Sequence, residues 1–123
     1  MSATYLAPKI LAFKAESDLS THQNKLVKMG STNDLVDVCG NADKPCGVLM
    51  NAPKAGEICE VAVQGGAKVK VASTVTRQES CASGAAGVGR TAVAGEWAIG
   101  TFQDNGVTGD VVPVIIDLHQ LDS

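Results

Sequence analysis

At 123 residues, with 45% hydrophobic and 19% charged residues, the chain has the length of one domain and enough apolar side chains for one sizeable core. Its formal net charge of −3 opposes nonspecific DNA binding, which depends on an excess of Lys and Arg along phosphates. No apolar run approaches the roughly 18 residues of a membrane helix, and Tyr5, Phe13, Trp97 and Phe102 are the only rings for base or sugar stacking, so neither nucleic acid nor membrane is an expected partner.

The first 24 residues read as an N-terminal arm or a first strand, ahead of a β domain spanning residues 25–123. Lys9 and Lys14 interrupt the apolar residues of "YLAPKILAFKAESD", and no basic start precedes them, so a signal peptide and export are not expected. Within this segment Ile10–Lys14 is the first strand candidate. Lys25–Met29, Leu35–Cys39 and Gly47–Met50 follow as short strands separated by Gly, Asn, Asp and Pro clusters. The dipeptide Gly30-Ser31 reads as a turn after Lys25–Met29.

Ile58–Val63 alternates, with Cys59, Val61 and Val63 on one face and Glu60 opposite. "AKVKVA" does the same, placing Lys68 and Lys70 opposite Val69 and Val71. "SCASGAAGVGR", residues 80–90, has almost no large side chain and reads as a mobile loop. Trp97–Phe102 and Val111–Leu118 complete the strand candidates. Pro113 has no backbone donor, which assigns its strand to a sheet edge or a bulge.

A repeat organises these elements. Gly47, Gly56, Glu57, Val61 and Val63 recur 53 positions later as Gly100, Gly109, Asp110, Val114 and Ile116. Each unit is a short strand opening on Gly, a turn ending in Gly and an acid, and an alternating apolar strand. The expected fold is all-β: a small single-domain barrel or sandwich with a duplicated hairpin-like element and an extended N-terminal arm. Cys59 aligns with Val112 and reads as a small core hydrophobe, while Glu57 and Asp110 read as solvent-facing turn residues.

Catalytic and cofactor patterns are sparse. Cys39, Cys46, Cys59 and Cys81 form no CxxC pair and have no nearby His, which removes the usual zinc spacings. Reduced thiols are expected, with a Cys39–Cys46 bridge as the alternative. His22 and His119 adjoin no nucleophile or metal-ligand motif. The glycines of "SGAAGVG" lack the flanking strand and helix of a phosphate loop. No catalytic, cofactor or metal site is therefore expected, and the chain is not expected to be an enzyme.

The stretches "KLVKMG", "CGVLMNAPKAGEICEVAVQGGAKVKVA" and "TAVAGEWAIGTFQDNGVTGDVVPVII" resemble the capsid cement, or head decoration, proteins of tailed bacteriophages, over roughly Lys25 to Leu118. The closing cadence is Ala94, Gly95, Ala98, Ile99 and Gly100, then Gly109, Asp110, Val112 and Val114. The resemblance implies a non-enzymatic protein without cofactor. It would bind the outer surface of the assembled capsid, stabilise contacts between major capsid subunits, and self-associate as a trimer or other small oligomer. It would be assembled in the bacterial host cytoplasm. Tyr5, Leu6, Ile10, Leu11 and Phe13 are the candidate contact residues, in an arm that adds a strand to a shell subunit or to a sister copy. The alternatives are a β binding module of a phage tail, fibre or cell-surface protein, and a small pyruvoyl-type enzyme that cleaves itself at Gly30-Ser31, a class the chain resembles in length and in that dipeptide.

Overall fold

The computed structural model describes residues 7–122. Ten strands are described: β1 (Lys9–Ala15), β2 (Leu26–Met29), β3 (Leu35–Val38), β4 (Gly47–Leu49), β5 (Ile58–Gln64), β6 (Gly66–Lys70), β7 (Ser80–Ser83), β8 (Gly89–Thr91), β9 (Trp97–Phe102) and β10 (Val111–Gln120). The fold is all-β, with one 3-10 turn among the described residues, at Ala85–Gly87. Strands β1 to β5 close a barrel in the order β1-β3-β2-β4-β5, and β6 to β10 form a second sheet in the order β6-β10-β9-β7-β8.

The duplication seen in the sequence at one hairpin extends to the whole chain. In the first half β1 pairs antiparallel with β5 and parallel with β3, while β2 pairs with β3 and β4, and β4 with β5. In the second half β6, β7, β8, β9 and β10 repeat each of those pairings, the β6–β8 contact being one parallel bridge, Val71↔Gly89. Register is kept as well. Lys14 faces Ile58 as Lys70 faces Val111, and Leu11 faces Val61 as Ala67 faces Val114.

Each recurring residue has a separate physical task. A Cβ on Gly47 would meet the carbonyl oxygen of Ala62, and one on Gly100 would meet that of Ile115, the residue 53 positions later. Both glycines therefore mark a close approach of one backbone to the next. Gly56 and Gly109 have φ of 81° and 91°, and a side chain there would meet open space, so the requirement is conformational. Glu57 accepts the Lys54 N–H at 2.7 Å, and Asp110 accepts the Val107 N–H at 2.9 Å, while each donates its own N–H to the carbonyl of the same residue.

Three further turns are built the same way. Asp43 takes the Gly40 N–H, Glu79 the Thr76 N–H and Glu96 the Val93 N–H, at 2.8 to 3.1 Å. The residue before each acid again has positive φ: Ala42, Gln78 and Gly95. Each of the five turns leads into a strand of the hairpin ladder.

Two large apolar clusters result, with a small third of Ala82, Ala92 and Ala98 under Leu121. Val27, Val36, Leu49, Cys59 and Val61 fill the barrel of the first half, with Ala15 and Leu19. Val69, Val71, Cys81, Ile99, Phe102, Val112 and Val114 form the interior of the second half, and Leu26, Val48 and Ala62 from the outer side of the first half pack into it. The halves therefore share a core, although the barrel of the first has its own.

Residues 80–90 are not a mobile loop. They form β7, the 3-10 turn and β8, with Cys81, Ala82 and Ser83 buried. Small side chains are required there because β8 lies directly on β6: a Cβ at Gly89 would stand 2.8 Å from Val69 Cγ1 and 3.0 Å from Cys81 Sγ. Pro113 is not on an edge strand, since β10 lies between β6 and β9, and the bulge of β10 falls between Ile116 and His119. Its missing donor is made good from outside the ladder. Gln103 N–H donates to the Pro113 carbonyl, and the Gln103 carbonyl, where a donor at 113 would be used, takes Arg77 Nε at 3.2 Å.

Of the two readings of the N-terminal segment, residues 9–15 take that of a first strand, hydrogen-bonded within their own chain. The duplicated glycines yield a prediction that separates their two tasks. Gly100→Ala, which drives a Cβ into backbone, lowers unfolding free energy by about 3 kcal/mol, whereas Gly109→Ala costs about 1 kcal/mol for the left-handed backbone alone. Urea denaturation of the two variants measures both, and equal losses would remove the close approach as an explanation.

Candidate interaction surface

Besides the outer strands β6 and β8 of the second sheet, joined by one bridge, two strands among the described residues carry a stretch of open edge. The first is β1. Lys14 N–H reaches Asp34 O and Glu16 N–H reaches Val36 O on the β3 side, whereas Ala15 N–H reaches Glu57 O on the β5 side. Backbone groups alternate along a strand, so Ile10 and Ala12 point the way Lys14 does. Pairing with β3 covers only Lys14 and Ala15, and among the described residues no backbone or side-chain group meets the outward N–H and C=O of Ile10 and Ala12. Ile10 is 46% and Leu11 43% exposed on this edge.

The expected contact residues therefore separate. Tyr5 and Leu6 lie outside the described residues. Ile10 and Leu11 are brought together at the open edge, but Phe13 is half-buried, faces Cys59 in the register and packs on the first core.

The second open edge is the C-terminal part of β10. Strand β6 accompanies β10 only from Val111 to Ile115, and Ile116 N–H still reaches Gly65 O. Beyond the bulge Leu121 N–H turns to Glu96 O on the β9 side, so the alternating Gln120 backbone faces away from β9. Leu118 is 41% exposed. It borders a groove of about 500 Å³ shared with Met29, Lys44, Pro45 and Cys46. Two lysines of this groove are already engaged: Lys28 pairs with Asp43 at 2.9 Å, and Lys44 lies 4.3 Å over the Trp97 ring.

The groups of catalytic type serve structure. His119 Nδ1 lies 2.6 Å from the Asp117 carbonyl, which can only accept, leaving Nε2 to accept the Ser80 hydroxyl at 3.0 Å. The pair straps β7 to the tail of β10. His22 is held below its ordinary pKa first by burial and then by Lys25. All four cysteines are free thiols. Burial pushes Cys39 and Cys81 up to about 12 and Cys46 up to about 11, and raises Cys59, so thiolate nucleophiles are scarce at neutral pH. Gly30 donates to Leu35 O and Ser31 N–H to Glu16 Oε1, making the dipeptide a bonded turn before β3. Among the described residues no three His, Cys, Asp or Glu side chains converge on a metal-sized point.

The strongest charge pairing was not foreseen. Arg90, on β8, meets Glu96 through two parallel bonds of 2.7 Å, and Glu96 Oε1 also holds the Val93 N–H of its own turn. Arg90 Nε reaches Asn41 Oδ1 at 3.2 Å, which links the second half to the first. The tripeptide Ala-Gly-Glu at 55–57 recurs at 94–96, and that signal locates the turn although not the arginine.

No protein-family model matches the chain, and no curated protein does. Among solved structures the fold is similar to the head fiber gp8.5 N base in bacteriophage phi29, with a TM-score of 0.72 over 94% of this chain and 98% of that one. At 14% identity the likeness establishes the fold.

Glu96 carries a pH signature. The hydrogen bonds from Arg90 hold its carboxyl down at about 2, from an ordinary value of 4.5. A carboxylate with a depressed folded-state pKa contributes stability that is complete above its unfolded value and is lost as pH falls through the folded one. Wild-type stability should therefore drop between about pH 4.5 and 2, and Glu96→Gln should remove about 1–2 kcal/mol at pH 7 while flattening that part of the acid profile. Urea midpoints across this range test it, and an unchanged acid slope in the variant would rule out Glu96 as the source.

Proposed function

We propose that this chain is a structural protein of a tailed-phage virion that binds the outside of the assembled head and stabilises contacts between major capsid subunits. The observation that carries the reading is the fold. Nearly the whole chain superposes on nearly the whole of a head-fibre base from phage phi29, and its Gly-acid turns and alternating strands resemble the decoration proteins of tailed-phage heads.

The physical character of the molecule supports a passive, load-bearing role. His119 and the acidic turn residues are engaged in holding strands together, and no catalytic step is assigned to the chain. A protein present in many copies does not need a tight individual contact, because valency multiplies modest affinities. The reading places it on the capsid exterior, with the major capsid protein as partner and assembly in the host cytoplasm.

A second reading has a specific observation in its favour: the structural neighbour is named as the base of a head fibre, so this chain would be a module that seats a fibre on the head. The two differ in effect. A cement raises the temperature at which heads lose their DNA, and a fibre base attaches without doing so.

The copy number of the chain relative to the major shell protein, in gradient-purified particles from the native lysate, is expected to be near one or a simple fraction of it. Absence from particles would overturn both readings. Adding purified protein to heads that lack it should raise their melting temperature, and attachment without that rise favours the fibre base.

A further inference from the structure

We propose that Asn105 is a site of spontaneous covalent modification, its side-chain amide closing onto the Gly106 nitrogen and reopening as isoaspartate or aspartate, with the bridge between Val75 and Gly106 as the gate. Asn24, Asn33, Asn41 and Asn51 precede larger residues, and Asn105 alone precedes a glycine. Glycine leaves the attacking nitrogen unhindered and gives the backbone freedom to turn it toward the side chain. In the step itself the Gly106 nitrogen bonds to Asn105 Cγ, the Cγ–Nδ2 bond breaks, and ammonia leaves with the proton of the Gly106 N–H. Water then opens the cyclic imide. Attack at the main-chain carbonyl carbon of residue 105 leaves the chain running through Cγ, which is isoaspartate, and attack at Cγ leaves aspartate.

The surroundings both assist this chemistry and restrain it. Asn105 is exposed and borders a hollow of about 460 Å³ with Thr74, Thr76, Val107 and Asp110, which admits water. Its Oδ1 accepts the Arg77 N–H at 2.9 Å, a bond that stabilises the negative charge growing on that oxygen during attack. The nucleophile, however, is withheld. Gly106 is buried, its N–H donates to the Val75 carbonyl at 3.1 Å, and its carbonyl takes the Val75 N–H at 2.9 Å. The bonds from Thr108 Oγ1 to the Ala72 carbonyl and from Gly109 N–H to the Val71 carbonyl extend the same seam. Reaction therefore requires residues 71–77 to part from 104–110, a local opening that costs less than global unfolding.

The duplication shows why the pair stands in one half only. In the first half Leu19 N–H donates to the Pro53 carbonyl at 2.9 Å, as Val75 does to Gly106, 53 positions after Pro53. Pro53 has no N–H and follows Ala52, so that place holds neither the nucleophile nor the amide. The second half needs glycine because a Cβ at 106 would run into Val112 Cγ2, where the first half carries the smaller Cys59. Packing thus fixes Gly106, and asparagine at 105 completes the reactive dipeptide. Isoaspartate lengthens the backbone by one carbon beside the bridge and adds a negative charge next to Asp104, so the bridge is lost. Departure of ammonia makes the change one-way.

The purified chain, held at mildly alkaline pH either folded or in guanidinium chloride, is followed at residue 105 by peptide mapping and isoaspartate-specific methylation. The unfolded chain should convert at least about tenfold faster than the folded one, since only the open fraction reacts. Thr108→Val removes one strap of the seam without touching the dipeptide and should speed conversion of the folded chain about two- to tenfold. Asn105→Ala, which restores the residue of the first half, should abolish conversion in both states. Equal or faster conversion in the folded chain overturns the gate, and no conversion at residue 105 in the unfolded chain overturns the site. Asn105→Asp brings the charge without the extra carbon. The isolated isoaspartate chain should therefore unfold at lower denaturant than that variant, and equal midpoints would remove loss of the bridge as a consequence.

Discussion

Five carboxylates, Asp43, Glu57, Glu79, Glu96 and Asp110, each capture the backbone N–H three residues before them, and five strands follow from the turns so formed. The turn needs a residue with positive φ just before the acid, and glycine supplies it three times. In four of the five the next strand begins at the residue after the acid, and after Asp43 it begins at Gly47. Register then follows, because a slip of one residue would turn Val61 or Val114 out of the core and Glu60 or Ile115 into it.

The two halves share this plan and differ where they meet. The first half closes its barrel, but the second has one bridge between β6 and β8 and fills its interior partly with Leu26, Val48 and Ala62 of the first. Burial of the second half thus depends on the first, while the opening strand of the first keeps an exposed face.

Polar groups that would suggest chemistry in another setting here replace missing ladder bonds. Arg77 takes the carbonyl that Pro113 cannot serve, Ser80 and His119 strap β7 to β10, and Arg90 with Glu96 and Asn41 ties β8 to both halves. These contacts join residues far apart in sequence, and each depends on a strand being where the turns put it.

The alternation of Lys68–Val71 and the 53-residue recurrence of Gly47, Gly56, Glu57, Val61 and Val63 determined by themselves that the chain is all-β and internally duplicated, because turn chemistry and a two-residue period are local properties. Cys59 was legible as a core residue by its alignment with Val112. The structure alone decided that residues 80–90 are strands, since their small side chains answer to Val69 and Cys81 across the fold and leave no periodic trace. It likewise decided that Pro113 sits inside a sheet, where a distant arginine supplies the donor. Of the candidate contacts, apolar character was visible for Ile10, Leu11 and Phe13 alike. Only the pairing of β1 with β5 on one side and with the end of β3 on the other separates the two that remain exposed from the one that is half-buried, because exposure depends on what lies beside a strand, which its own residues do not specify.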